Sequence, residues 1–256
     1  MSLLRGCVHV CGSQDCDYCE LLSTKENSSQ DRLPPETELY AGYDPGGIRD
    51  PAALVVIEKC KTANPPESEM GYKHRTAFRV VKTLTYTASH TDSWKTEGKT
   101  DNPYTRFTLE VSDLHKSLHF KRVLVDSTGL GAPIVELCKE IGLPTAEMKF
   151  TASTKEEILF NLKVLMEKRQ ITLPPDENDL LSSLNCIEAE RTRTGGYSFD
   201  HPSGTHDDLA YALALAVWTA GKGDAKVIIM KQDHGRVKDP AIRSWRESAG
   251  SSEANF

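Results

Sequence analysis

The order of apolar and polar positions divides the 256-residue chain into three parts. Residues 1–36 show no sustained period, and "STKENSSQDRLPPET" reads as a linker. Residues 37–221 alternate short apolar runs with turn residues and helical patterns. Residues 222–256 are polar, end in "ESAGSSEANF", and are predicted to form a flexible tail. Within the middle part, "ELYAGYD" predicts a strand ending at Asp44. "PGGIRDP" is a turn and "AALVVIEK" a second strand, so the two make a hairpin. "RTAFRVVKTLTYT" alternates as a third strand, and "SHTDSWKTEGKTDNPY" is a long polar loop. "RFTLEVSDLHKSL" reads as a helix. "KRVLVDST" holds the continuous apolar run of a buried strand and ends at Asp126. A helix "GAPIVELCKEIG" and a short strand "TAEMKF" follow. "STKEEILFNLKVLMEKRQ" is an amphipathic helix opened by the capping-box pattern Ser153-x-x-Glu156. "ITLP" is a strand, "ENDLLSSLNCIEAE" a helix, "GGYSFDH" a strand or loop, and residues 205–220 the closing helix. Strands first in a meander, then alternating with helices, predict an α/β fold. Its sheet is mixed, antiparallel then parallel, with helices on both faces.

The closing helix poses the chemical question. In "GTHDDLAYALALAVWTA" every residue from Leu209 to Trp218 is apolar or tyrosine, yet the helix opens with His206, Asp207 and Asp208. Asp44 and Asp126 each end a predicted strand. In open α/β sheets functional groups gather at the carboxyl ends of strands. If these two strands are neighbours, their terminal acids converge, and a helix packed on the sheet can add its first-turn acid. Carboxylates crowded in a partly buried place raise one another's pKa. A hard divalent cation with oxygen ligands, Mg²⁺ or Mn²⁺, relieves that repulsion, and a pair of such ions suits attack on phosphodiesters. Each acid also has a plainer reading. Asp207 caps the helix and Asp208 favours its dipole. Asp44 is a turn aspartate before Pro-Gly, and Asp126 begins an Asx-type turn. Of the adjacent pair, Asp208 is the preferred main ligand and Asp207 the cap or secondary ligand.

Composition narrows the class. Hydrophobic residues make up 38% of the chain and charged residues 27%, ordinary values for a protein with a sizeable core. No apolar run approaches the roughly 20 residues of a membrane helix, and the N-terminus lacks a signal-peptide core. A cytoplasmic protein without membrane contact is expected. The net charge of -6 argues against coating nucleic acid by bulk charge but leaves room for a local basic grip.

"GYDPGGIRDPAALVVIE", "RVLVDSTGLGAPIVELCKEIG" and "GTHDDLAYALALAVW", in that order, resemble the nuclease domain of the large terminase subunit of tailed bacteriophages and related viruses. "FTASTKEEILFNLKVLMEKRQITLP" resembles it too, and the likeness covers about residues 38–220. The resemblance implies an RNase H-like fold of the RuvC type. It implies a divalent-metal-dependent endonuclease that cuts double-stranded viral DNA during packaging. Asp44, Asp126 and one or both of Asp207 and Asp208 match the family's metal-binding acids. A packaging ATPase encoded separately, a small terminase subunit or a portal are the implied protein partners. The family's motor is not expected here, because no Walker A motif occurs and "EGKT" at 97–100 lacks its upstream glycine. Two alternatives keep their place: a RuvC-like resolvase or transposase-type nuclease, and a non-catalytic packaging adaptor. Actin-like ATPases share the two Asp-x-Gly-type turns superficially but need a second domain.

Among basic residues, Lys155, Arg49 and Arg79 are the candidate DNA contacts, with Lys155 foremost because it follows the strand nearest the expected site. Four of the seven cysteines, Cys7, Cys11, Cys16 and Cys19, crowd the N-terminal segment with His9 between. Their spacing suggests a structural Zn²⁺ site without the usual spacer. An iron–sulfur arrangement and a tail of reactive thiols are the other readings.

Overall fold

A computed structural model of the protein describes residues 37–46, 51–61, 76–87, 103–193 and 195–221. The cysteine cluster, Arg49, most of the polar loop before residue 103 and the tail lie outside the described residues. The elements follow the expected order. Strands β1 (Glu38–Asp44), β2 (Ala52–Lys61) and β3 (Thr76–Tyr86) are followed by helix α1 (Pro103–Leu118). Then come β4 (Arg122–Asp126), α2 (Gly131–Glu140), β5 (Thr145–Met148), α3 (Ala152–Glu167), β6 (Ile171–Thr172) and α4 (Asn178–Cys186). The hairpin strands β7 (Glu188–Arg191) and β8 (Tyr197–Asp200) precede α5 (Asp208–Gly221).

Six strands form one sheet in the order β5-β4-β1-β2-β3-β6, and β7 and β8 form a separate antiparallel pair. β2 runs antiparallel to β1 and β3, whereas β4 is parallel to β1, β5 to β4 and β6 to β3. Period-two alternation sends successive side chains of a strand to opposite faces. Leu39, Ala41 and Tyr43 of β1 join Phe107 and Val111 of α1 and Ile134, Val135 and Cys138 of α2 in one core. Tyr40 faces the other core, built from α3, α4 and α5. No helix among the described residues is long and apolar enough to cross a membrane.

α5 is central to this second core, with nearly every residue buried. Alanines at 210, 212, 214, 216 and 220 let it lie close to the sheet. Gly42 of β1 makes the approach possible, since a Cβ there would run into the Ala212 carbonyl oxygen and the Ala216 amide. At its C-terminal end, Lys59 of β2 donates to the Ala220 carbonyl at 3.1 Å.

Two local expectations change. The cap of α3 is Thr151, not Ser153. Thr151 is extended and accepts from the Thr154 amide, while Thr154 Oγ1 accepts from the Thr151 amide at 2.8 Å. The reciprocal cap is therefore made by two hydroxyls and starts two residues earlier. Glu156 reaches instead toward the Tyr197 amide at 3.3 Å. "EAE", read as the end of a helix, belongs with Arg191 to strand β7. Its pairing with β8 overrides the helix propensity of Glu, Ala and Arg.

Candidate metal centre

Strand alternation sets the site. Asp44 shares a face with Tyr40 and Gly42, and Asp126 shares one with Leu124; both are the α5 face. Tyr43 pairs with Val125 across the parallel β1–β4 ladder, so the two terminal acids are neighbours. α5 then brings its first residue to the same place. Asp44, Asp126, Asp207 and Asp208 line one cleft of ≈ 250 Å³ with Gly46, Phe150, Lys155, His201, His206 and Tyr211. A second cleft of ≈ 360 Å³ shares Asp208 and His206 with it, and Thr85, Thr87, Ser182 and Thr205 are among its lining residues.

The plainer readings of two acids hold alongside the shared cleft. Asp126 is buried and its Oδ1 accepts from the Thr128 amide at 2.9 Å and from Thr128 Oγ1 at 2.6 Å. Thr128 Oγ1 in turn accepts from the Phe150 amide at 2.8 Å, tying the β4 end to the loop after β5. Gly131 closes against the Asp126 carbonyl, where no Cβ fits. Asp44 Oδ1 accepts from the Gly46 amide at 3.1 Å, as expected of a turn aspartate. Local bonds orient both carboxylates without removing them from the cleft.

One of the amides Asp207 could cap has another partner. With Asp207 before the helix, a capping side chain would reach the second or third helical amide. The third, that of Ala210, donates to Ser183 Oγ of α4 at 3.0 Å instead. Asp207 contributes its backbone carbonyl to the Tyr211 amide at 3.1 Å, and its carboxylate meets His201 Nε2 at 3.7 Å. Asp208 is buried, and its Oδ2 lies 3.8 Å from His206 Nδ1.

Crowding shows in the proton affinities. Burial, then the charges of Asp126, Asp208 and Asp207, push the Asp44 carboxyl up to about 8 against the bond from Gly46. Burial raises Asp207 as well, opposed by His201 and Lys155. The acids do not close on a common point as they stand. Among the described residues, no group of three or more His, Cys, Asp or Glu side chains is poised to hold a metal ion. Mutual repulsion opposes such closure, and a divalent cation would supply attraction against it. The donor set fits the ion expected, since carboxylate oxygens suit Mg²⁺ and Mn²⁺.

The other candidates separate clearly. Lys155 lines the cleft, its Nζ 4.6 Å from the Tyr211 ring centroid and 5.4 Å from that of Phe150. Arg79 is not brought there. It pairs with Glu58 across β2 and β3, with Nε and Nη2 at 2.9 and 2.6 Å from Oε2. It stands six residues along β3 from Thr85, about 20 Å at strand rise. His201, Thr128, Ser183 and Tyr211 escape the sequence reading. Only Thr128 carries a signal, as the hydroxyl two residues after a strand-ending aspartate.

Comparison with known proteins finds the same architecture. No family profile matches the chain. The chain is 33% identical over 95 residues to the large terminase subunit of Thermus phage G20c. That alignment takes in 37% of this chain and 19% of that protein, so the chain matches under a fifth of its relative's length. The crystal structure of the large terminase nuclease from phage G20c superposes with a TM-score of 0.54 at 20% identity, covering 73% of this chain and 84% of that one. The chain shares the fold of that large-terminase nuclease. The G20c nuclease with bound magnesium superposes at 0.52 and 21% identity, over 72% of this chain and 82% of that one. The terminase-nuclease fold thus accounts for the mixed sheet, for the helices on both faces and for the order of the quoted segments. The resemblance drawn from those segments is borne out.

Proposed function

We propose that this chain is a divalent-metal-dependent endonuclease that cuts double-stranded DNA, acting in viral genome packaging. The observation that carries the reading is the convergence of Asp44, Asp126, Asp207 and Asp208 from β1, β4 and the start of α5 into one cleft. The likeness to terminase nucleases, one of them solved with bound magnesium, supports it. Asp44, Asp126 and Asp208 would hold Mg²⁺ or Mn²⁺, with Asp207 as the secondary acid. A bound ion would lower the pKa of water and offset the charge that builds on a phosphodiester under attack.

The chain's own groups prepare that chemistry. Thr128 fixes the rotation of Asp126, and the Gly46 amide that of Asp44. Ser183 takes up the Ala210 amide at the head of α5, and Asp207 lines the cleft. Lys155 sets one positive charge at the edge of an acidic site, where it meets a DNA phosphate and orients it. A separate packaging ATPase, a small terminase subunit or a portal are the partners this role calls for.

Nicking of supercoiled plasmid in Mn²⁺ tests the proposal. Wild type is expected to cut, and chelation to stop it. Asp126→Ala and Asp208→Ala are each expected to lower the rate by at least about a hundredfold, the upper range for groups that merely support a metal site. Cutting that survives both substitutions, or that needs no metal, would overturn the proposal.

A further inference from the structure

Tyr211 is 3% exposed, and its hydroxyl has no hydrogen-bond partner among the described residues. Buried hydroxyls are nearly always bonded, because stripping one of water without replacement is costly. The ring is nonetheless firmly placed. It packs on Phe150 with centroids 5.3 Å apart, beneath the Lys155 ammonium, and it lines the acid cleft. Tyr211 follows Asp207 by four residues and Asp208 by three, so all three share one side of the α5 entry. Helical side chains lean toward the N-terminus over the preceding turn, which carries the phenol toward Asp207. His201 stands 3.7 Å from Oδ1 of that carboxylate. Burial holds the phenol well above its usual value, so it remains a donor.

We infer that Tyr211 is a positioning residue: its hydroxyl takes up the Asp207 carboxylate when a divalent cation draws the cleft acids together. The inference rests on the metal-site reading above. It gives a partner to a buried hydroxyl that has none among the described residues. The bond belongs to the loaded arrangement, in which a ligating carboxylate is steadied by an outer donor.

The test is Tyr211→Phe, which removes one oxygen and leaves the packing of the ring. Without metal, the variant is expected to melt at a higher temperature than wild type, since an unsatisfied group is gone. Its Mn²⁺ affinity by calorimetry is expected to fall about tenfold or more. In an Asp207→Asn background the same change is expected to have little further effect on Mn²⁺ binding. Unchanged affinity in Tyr211→Phe overturns the inference. So does a lower ion-free melting point, which would mean the hydroxyl already serves the fold. Wild type that binds Mn²⁺ beside a variant that binds it equally sinks only the role of Tyr211. Wild type that binds none sinks the metal-site reading as well.

Discussion

Asp44 is where charge repulsion in the cleft can be measured. Its carboxyl rises from the usual 3.8 to about 8 in the fold, so the native state holds this proton more tightly than the unfolded chain does. The resulting stabilisation is fully present below about pH 4 and is lost as pH rises through about 8. Ion-free protein is therefore expected to melt progressively lower across that window, and Asp44→Asn to flatten the slope. Metal binding takes the opposite sign. The cation must displace the proton, so Mn²⁺ affinity is expected to climb over the same range. Calorimetry at several pH values checks both, and a pH-independent affinity would contradict the assignment of Asp44 as a ligand. The four acids were legible because each sits at a boundary where the hydrophobic pattern stops. Tyr211 was not legible, because inside "DLAYALALAVW" it reads as one more core residue. Arg79 looked available for the opposite reason: a sequence does not state which cross-strand residue faces it, and here that residue is Glu58.

Among elements, α5 depends on the smallest residue beneath it. Gly42→Ala would set a methyl group against backbone atoms of residues 212 and 216, which cannot rotate away. The expected cost is about 3 kcal/mol, the upper part of the overpacking range, read as a lower denaturation midpoint. Nicking activity is expected to fall with it, because the same helix presents Asp208. Full stability in this variant would show that α5 can lift without harm. The long elements could be read from periodicity alone, and β1, β2, β3 and α5 match their expected segments to within a few residues. Short ones could not. In "EAER" the local preference points to helix, and only the partner strand Tyr197–Asp200 decides otherwise. The cap at Thr151 was missed because a Thr-x-x-Thr pair does the work usually assigned to Ser-x-x-Glu.

Over the whole molecule, the sheet fixes two acids and a single helix delivers the rest. β1 and β4 are parallel neighbours, so Asp44 and Asp126 inherit their spacing from a hydrogen-bonded ladder. Asp207 and Asp208 inherit theirs from how α5 is seated. That seating is held at both extremities: Ser183 accepts from Ala210 near the head, and Lys59 donates to Ala220 at the foot. A rod pinned at two points transmits a push along its length instead of absorbing it. The foot lies twelve residues from Asp208, about 18 Å at helical rise. Disturbance there should reach the acids. Lys59→Met, which touches nothing in the cleft, is expected to weaken Mn²⁺ binding by about two- to threefold, the low end for coupling carried through packed structure. An affinity equal to wild type would mean that the foot of α5 does not bear on the acids.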